Sequence, residues 1–173
     1  MDRRTFLAGT GAVLLAAPLA VESQQRAQLP RIGYLGTSSA SLEAELVQAF
    51  RLGLRDLGYV EGQNIVIEFR WAEGNCSRFP DLAADLVRLK VDVILTAGTP
   101  GALAAKRATQ TIPIVMAVTA DAVGTGLVAT LARPGGNLTG LTTMAPELEG
   151  KRRELLREVL PNLTTVAVLL MPF

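Results

Sequence analysis

The stretch Val91-Asp92-Val93-Ile94-Leu95-Thr96-Ala97-Gly98-Thr99-Pro100-Gly101-Ala102-Leu103-Ala104-Ala105-Lys106-Arg107-Ala108, with Ile112-Pro113-Ile114-Val115-Met116-Ala117-Val118 close behind it, decides the fold. Its two apolar runs are near-continuous rather than alternating, the pattern of strands buried on both faces. Between them, Pro100 to Ala108 reads as a helix whose proline suits the first turn, where the missing N–H has no partner to lose. Pro113 stands near the start of the second run, where a strand tolerates it. Strand, helix and strand in this order make a parallel crossover unit.

The same alternation extends in both directions. Upstream, Ile32 to Gly36 is a short buried strand, and Leu42, Leu46, Ala49-Phe50, Leu54 and Leu57 then recur at helical spacing. Ser41 is the expected cap of that helix and Gly58 its stop. Ile65 to Trp71 is a strand rich in β-branched and aromatic residues, and Phe79, Leu82-Ala83, Leu86 and Leu89 mark one face of a second helix. Downstream, Gly126 to Ala132 reads as a short helix closed by Arg133-Pro134-Gly135-Gly136, Leu138 to Thr143 as a strand, Pro146 to Leu160 as an amphipathic helix, and Val166 to Leu170 as the beginning of a sixth strand. The fold class is therefore α/β, a doubly wound parallel sheet covered on both faces. Right-handed crossovers place every strand-to-helix loop on one edge, where such sheets bind their ligands.

Composition narrows the function. Among 173 residues, 49% are apolar and 17 basic side chains face 16 acidic ones, so a net charge of +1 supplies no basic field for nucleic acid. No histidine occurs, which removes the commonest general base at neutral pH and the commonest metal ligand, and a lone Cys76 makes neither an intrachain disulfide nor a thiolate zinc cluster. Nothing in the sequence asks for a metal or a cofactor, and no catalytic residue is assigned.

Residues 1–23 read as an address. Arg3-Arg4 precede an uncharged apolar run from Phe6 to Val21, too short and too rich in Ala and Gly for a lasting membrane span, and Val21-Glu22-Ser23 fits a signal-peptidase site. Arg3-Arg4-Thr5-Phe6-Leu7 is similar to a twin-arginine export signal, with Asp2 and Ala8 as departures from it. A periplasmic protein with no membrane span after cleavage is expected.

Three loops at the carboxyl edge hold the candidate site residues. Gly36-Thr37-Ser38-Ser39-Ala40-Ser41 follows the first strand and Ala97-Gly98-Thr99-Pro100-Gly101 the third. Small hydroxyl residues and glycine at helix N-termini let backbone N–H groups approach a ligand, and the helix dipole favours a carboxylate there. Ordinary capping explains either loop taken alone, and their common edge raises the weight of ligand contact. In the next loop Asp121 either hydrogen-bonds a ligand's amino or hydroxyl group or caps its own turn; Thr142-Thr143-Met144 completes the edge. Asp121 is the one carboxylate this reading places among the loops, so paired acid/base chemistry lacks a visible partner. Tyr34 reads as core, and Trp71 as a possible stacking surface.

Four linked segments carry a resemblance. Arg31-Ile32-Gly33-Tyr34-Leu35-Gly36, Leu57-Gly58-Tyr59-Val60-Glu61-Gly62-Gln63-Asn64-Ile65, Arg70-Trp71-Ala72-Glu73-Gly74, and Gly126 through Leu131-Ala132-Arg133-Pro134-Gly135-Gly136-Asn137-Leu138-Thr139-Gly140 resemble the substrate-binding components of ABC transporters, in the branch similar to tryptophan- and tyrosine-binding proteins. The resemblance implies a type I periplasmic binding protein, in which two α/β lobes close on a small molecule and deliver it to an ABC permease in the inner membrane. It implies that Thr37, Ser38, Ser39, Gly98, Thr99, Pro100 and Asp121 line the cleft. Ala122 stands where the family commonly has proline, and Met171 where asparagine commonly precedes the proline at 172. The expected organisation is a signal over 1–23, an amino-terminal lobe over 24–165, and the start of a crossover strand over 166–173 toward a second lobe that the chain lacks. The leading functional reading is a solute-binding protein for a small organic ligand, an amino acid or a related carboxylate among the candidates. The alternatives are an exported flavodoxin- or Rossmann-like enzyme with a bound cofactor, and a sensory module.

Overall fold

A computed structural model describes residues 29–143, 145–162 and 164–167. The signal expected over 1–23, Met144 and the expected strand beyond residue 167, with Met171 and the proline after it, lie outside the described residues; Val166 carries no strand assignment. In chain order the elements are β1 (Arg31–Gly36), α1 (Ala44–Asp56), β2 (Val66–Trp71), a 3-10 turn (Cys76–Arg78), α2 (Phe79–Arg88), β3 (Val93–Thr96), α3 (Thr99–Ala108), β4 (Ile114–Ala120), β5 (Leu138–Thr143) and α4 (Ala145–Val159). The strands form one five-stranded sheet in the order β2-β1-β3-β4-β5, every pair parallel. The doubly wound α/β fold read from the apolar runs is the observed one. Because the chain moves from β1 to β2 on one side and then to β3 on the other, the topological switch point lies between β1 and β3.

Alternation along the strands divides the core between the two faces. Leu35, Ile94, Ile114, Met116 and Leu138 join Phe79, Ala83 and Leu86 of α2 and Ala102 and Ala105 of α3 in one cluster. On the other face Tyr34 and Ile67 meet Val47 of α1, with Phe50, Leu54, Phe69, Trp71 and Leu95 packed around them. Leu35, Leu86, Ile94 and Ile114 are fully buried, each contributing roughly 1.5–3 kcal/mol of burial free energy. Gly36 is paired with Trp71 in the β1–β2 register, and a Cβ there would enter the indole ring. That glycine allows the aromatic cluster to close over the end of β1.

Four expectations are corrected by the structure. Helix α1 starts at Ala44 rather than after a Ser41 cap; Glu43 holds the cap position without a side-chain cap bond, and Ser41 Oγ meets Ser39 Oγ at 2.9 Å. The inner face of α1 is Val47, Phe50 and Leu54, while Leu42, Leu46 and Leu57 stay exposed. Two apolar stripes run along this helix, and the aromatic side of the sheet meets only one of them. The helix ends at Gly58 as expected: its φ of 85° allows Gly58 N–H to reach Arg55 O and Tyr59 N–H to reach Leu54 O. No helix forms over 126–132, because Gly126 has a φ of 71° and the segment is pinned as a loop by buried Leu127 and Val128. Lys106 Nζ straps it to α3 by donating to Gly126 O and Leu127 O, at 2.7 and 3.0 Å. Finally, α4 leaves Leu148, Leu155, Leu156 and Val159 exposed, and the buried core draws on residues from Ile32 to Leu138.

Candidate functional site

The carboxyl ends of β1, β3 and β4 bring three loops to the switch-point edge. The first loop is built around a side chain from the head of the following helix. Glu43, at the head of α1, is 5% exposed. Its Oε1 accepts from Thr37 Oγ1 at 2.9 Å, from Ser38 N–H at 2.6 Å and from Ser38 Oγ at 3.1 Å, while Oε2 accepts from Tyr34 O–H at 3.0 Å. Burial alone would raise this carboxyl's pKa, but the bonds from Ser38, Thr37 and Tyr34 outweigh it and hold Glu43 below its ordinary value. For Tyr34, burial, the bond to Glu43 and the carboxylate's charge all push the phenol upward, so it stays a donor. Tyr34 is core, as expected, with its polar tip satisfied at the site.

This arrangement changes the chemistry expected of the first loop. The donors of this loop, the Ser38 amide and the Thr37 and Ser38 hydroxyls, already serve an anion of the chain itself, so they do not wait for a ligand carboxylate. The loop's backbone is tied from the other side: Ala72 N–H donates to Gly36 O, Glu73 N–H to Ser38 O and Gly74 N–H to Thr37 O. Thr37, Ser38 and Ser39 are half-buried at this edge. Ser39 faces away from Glu43 into a local turn, its Oγ accepting weakly from Leu42 N–H at 3.4 Å and its carbonyl accepting from Glu43 N–H.

The loop after β3 approaches the first directly. Gly98 has a φ of 78°, and a Cβ built on it would lie 3.6 Å from the Thr37 methyl group. Gly98 N–H donates to Val118 O at 2.8 Å, and buried Thr99 reaches Ala120 O with its hydroxyl at 3.5 Å, so β4 braces this loop. Pro100 is half-buried at the second position of α3, and the first turn of α3 contains no acidic residue. Thr37, Ser38, Gly98 and Thr99 therefore share one neighbourhood.

Asp121 behaves differently. Its Oδ1 accepts from Gly124 N–H at 2.8 Å, its carbonyl accepts from Thr125 Oγ1 at 2.7 Å, and its φ is 25°. The carboxylate crowds the Cα of Gly124 so closely that no Cβ fits there. Of the two roles left open by the sequence, the capping one is realised. Asp121 N–H donates to Thr143 O and Ala122 N–H to Thr142 Oγ1, which fixes the turn to the end of β5. Ala122, where proline was the family expectation, is fully buried, and its N–H makes a bond that proline could not.

Trp71 stacks on Phe69 at 5.6 Å and 8°, and both line a groove of about 250 Å³ with Ala40, Ala44, Val47, Gln48 and Arg51. That groove lies between α1 and the edge strand β2 and touches the loop cluster only through Ala40. Among the described residues no three His, Cys, Asp or Glu side chains are grouped to hold a metal, and no helix is long and apolar enough to cross a membrane.

Glu43 was missed because helical periodicity treats a carboxylate in a first turn as a solvated residue. The available signal was Tyr34: a hydroxyl inside an apolar strand needs a partner when buried.

Comparison with known proteins adds to this geometry. Residues 38–172 match the family described as ABC transporter substrate binding protein. A tyrosine-binding protein of Clostridioides difficile is 35% identical over 122 residues, covering 70% of this chain and 35% of that protein. The structure of an ABC domain in complex with L-Trp from Streptococcus pneumonia is similar with a TM-score of 0.61 and 31% identity, over 66% of this chain and 39% of the other. A conserved domain protein from Vibrio cholerae gives a TM-score of 0.68 at 33% identity, over 78% and 45%. The ligand-free, open structure of a substrate binding protein with adhesive properties from Clostridium difficile gives 0.62 at 30% identity, over 78% and 45%. The chain thus spans between about a third and a half of the lengths of the proteins it matches, the share that one lobe would take.

Proposed function

The chain belongs to the ABC transporter substrate binding protein family, and from that premise we propose that it is the amino-terminal lobe of an exported solute receptor that binds a small organic ligand without altering it. The observation that carries the reading is the convergence of the loops after β1 and β3 at the switch point, where the Thr37 methyl group lies beside Gly98 and β4 braces Gly98 and Thr99. Thr37, Ser38, Ser39, Gly98, Thr99 and Pro100 form the wall of the cleft, and Asp121 shapes its far side. An amino acid or related carboxylate is the proposed ligand class; relatives named for tyrosine and solved with L-Trp support it. In this reading residues 1–23 direct export to the periplasm, 24–165 form the lobe, 166–173 begin a crossover toward a second lobe that supplies the other wall, and the loaded receptor delivers its ligand to an ABC permease.

Isothermal calorimetry against a panel of amino acids, on the two-lobe receptor of which this chain is the proposed amino-terminal part, tests the proposal. Saturable binding with no chemical change in the recovered ligand is the expected result. Turnover of any panel member, or absence of heat across the panel, would overturn it.

A further inference from the structure

Glu43 is a buried carboxylate held, among the described residues, by hydroxyl and amide donors. Among the described residues no lysine or arginine pairs with it, and its ionisation is favoured by the hydrogen bonds of Ser38, Thr37 and Tyr34. Its charge is met by neutral donors, so a positive group brought beside this corner would be stabilised by it. An ionised carboxylate only accepts. The single O–H of Thr37 and the single O–H of Ser38 are consequently both spent on Glu43 Oε1, at 2.9 and 3.1 Å. Ser38 N–H is spent there too, and the carbonyl oxygens of Thr37 and Ser38 accept from Gly74 and Glu73. What the two half-buried side chains retain is lone pairs: toward the cleft they accept and do not donate.

We propose that Thr37 and Ser38, backed by Glu43, form the subsite for a protonated amino group of the ligand, and that Glu43 is its positioning and charge-compensating residue. This rests on the reading of the chain as a solute receptor and adds a polarity to it. An ammonium placed on the two hydroxyl oxygens completes their hydrogen bonding and sits one shell from the buried charge. A carboxylate at the same place would meet lone pairs on both oxygens with an anion behind them. The ligand therefore enters with its amino group toward the β1 loop.

Calorimetry with two matched pairs tests this on the same two-lobe receptor: L-tyrosine against 3-(4-hydroxyphenyl)propionate, and L-tryptophan against indole-3-propionate. The amino acid should bind at least about tenfold more tightly than its deaminated partner, the weight of one charge-assisted hydrogen bond. Glu43→Gln should collapse that ratio toward one, whereas Tyr34→Phe, which removes a bond but keeps the carboxylate, should preserve it. Should Glu43→Gln fail to fold, Thr37→Val supplies the second measurement, with loss confined to the amino-bearing ligand. A deaminated acid that binds as tightly as its parent, or a ratio unchanged in Glu43→Gln or in Thr37→Val, overturns the subsite and leaves the receptor reading intact. Absence of binding by all four compounds and by the wider panel overturns the receptor reading, and this inference with it.

Discussion

Two carboxylates flank the loop cluster, and they are used in opposite ways. Glu43 reaches back across the β1 loop and gathers donors from Tyr34, Thr37 and Ser38, residues five to nine positions away. Asp121 turns on itself and takes the N–H of Gly124, three residues on. The first joins strand, loop and helix into one unit; the second fixes a single turn. A carboxylate's influence on a site follows from how many separate elements depend on it, and exposure is a poor guide when the chain is read without its contacts.

The largest effect expected from this contrast is on stability. Glu43→Ala strands the Tyr34 hydroxyl and the Ser38 amide in a buried corner and should cost roughly 3 kcal/mol or more, read by urea denaturation. A loss under 1 kcal/mol would show that the donors find water instead, and the contrast would fail. Gly36→Ala attacks the same corner from the aromatic side, because the new methyl group must displace the Trp71 ring; about 1–3 kcal/mol is expected in the same measurement. Asp121→Ala removes a turn bond alone and should cost about 1 kcal/mol, while Asp121→Asn, which keeps an acceptor for Gly124 N–H, should stay within roughly 0.5 kcal/mol of the parent.

Acid titration sharpens the comparison further. The folded-state pKa of Glu43 is depressed, so the carboxylate's contribution is fully present above the ordinary value of 4.5 and is lost as pH falls through the lower, folded-state value. Stability measured downward from about pH 5 should therefore fall more gently in Glu43→Gln than in the parent. Identical slopes would mean that folding leaves the Glu43 carboxyl at its unfolded-state pKa.

Much of this architecture was legible in the chain. The apolar runs at Ile32 to Gly36, Val91 to Thr96 and Ile112 to Val118 announce buried strands, since period and length together leave few alternatives. The meeting of Thr37, Ser38, Gly98 and Thr99 follows from the rule that right-handed crossovers set the strand-to-helix loops of a parallel sheet on one edge. What could not be read was direction. Periodicity places Glu43 on α1 but is silent on a bond running nine residues back to Tyr34, and it offers two apolar stripes on α1 with nothing to choose between Leu46 and Val47. The expected helix over 126–132 failed for a related reason: Leu127 and Val128 have the composition of a helical face, yet the positive φ of Gly126 and the strap from Lys106 are tertiary facts.

The indole of Trp71 has one more consequence. It is the only tryptophan in the sequence, and it lies over Gly36, next to the loop that carries Thr37 and Ser38. The backbone that follows it is joined to that loop through the Ala72 N–H bond to Gly36 O and the Gly74 N–H bond to Thr37 O. The chain therefore contains its own optical gauge: the emission of this one indole is expected to change when the β1 loop moves, with no label to attach.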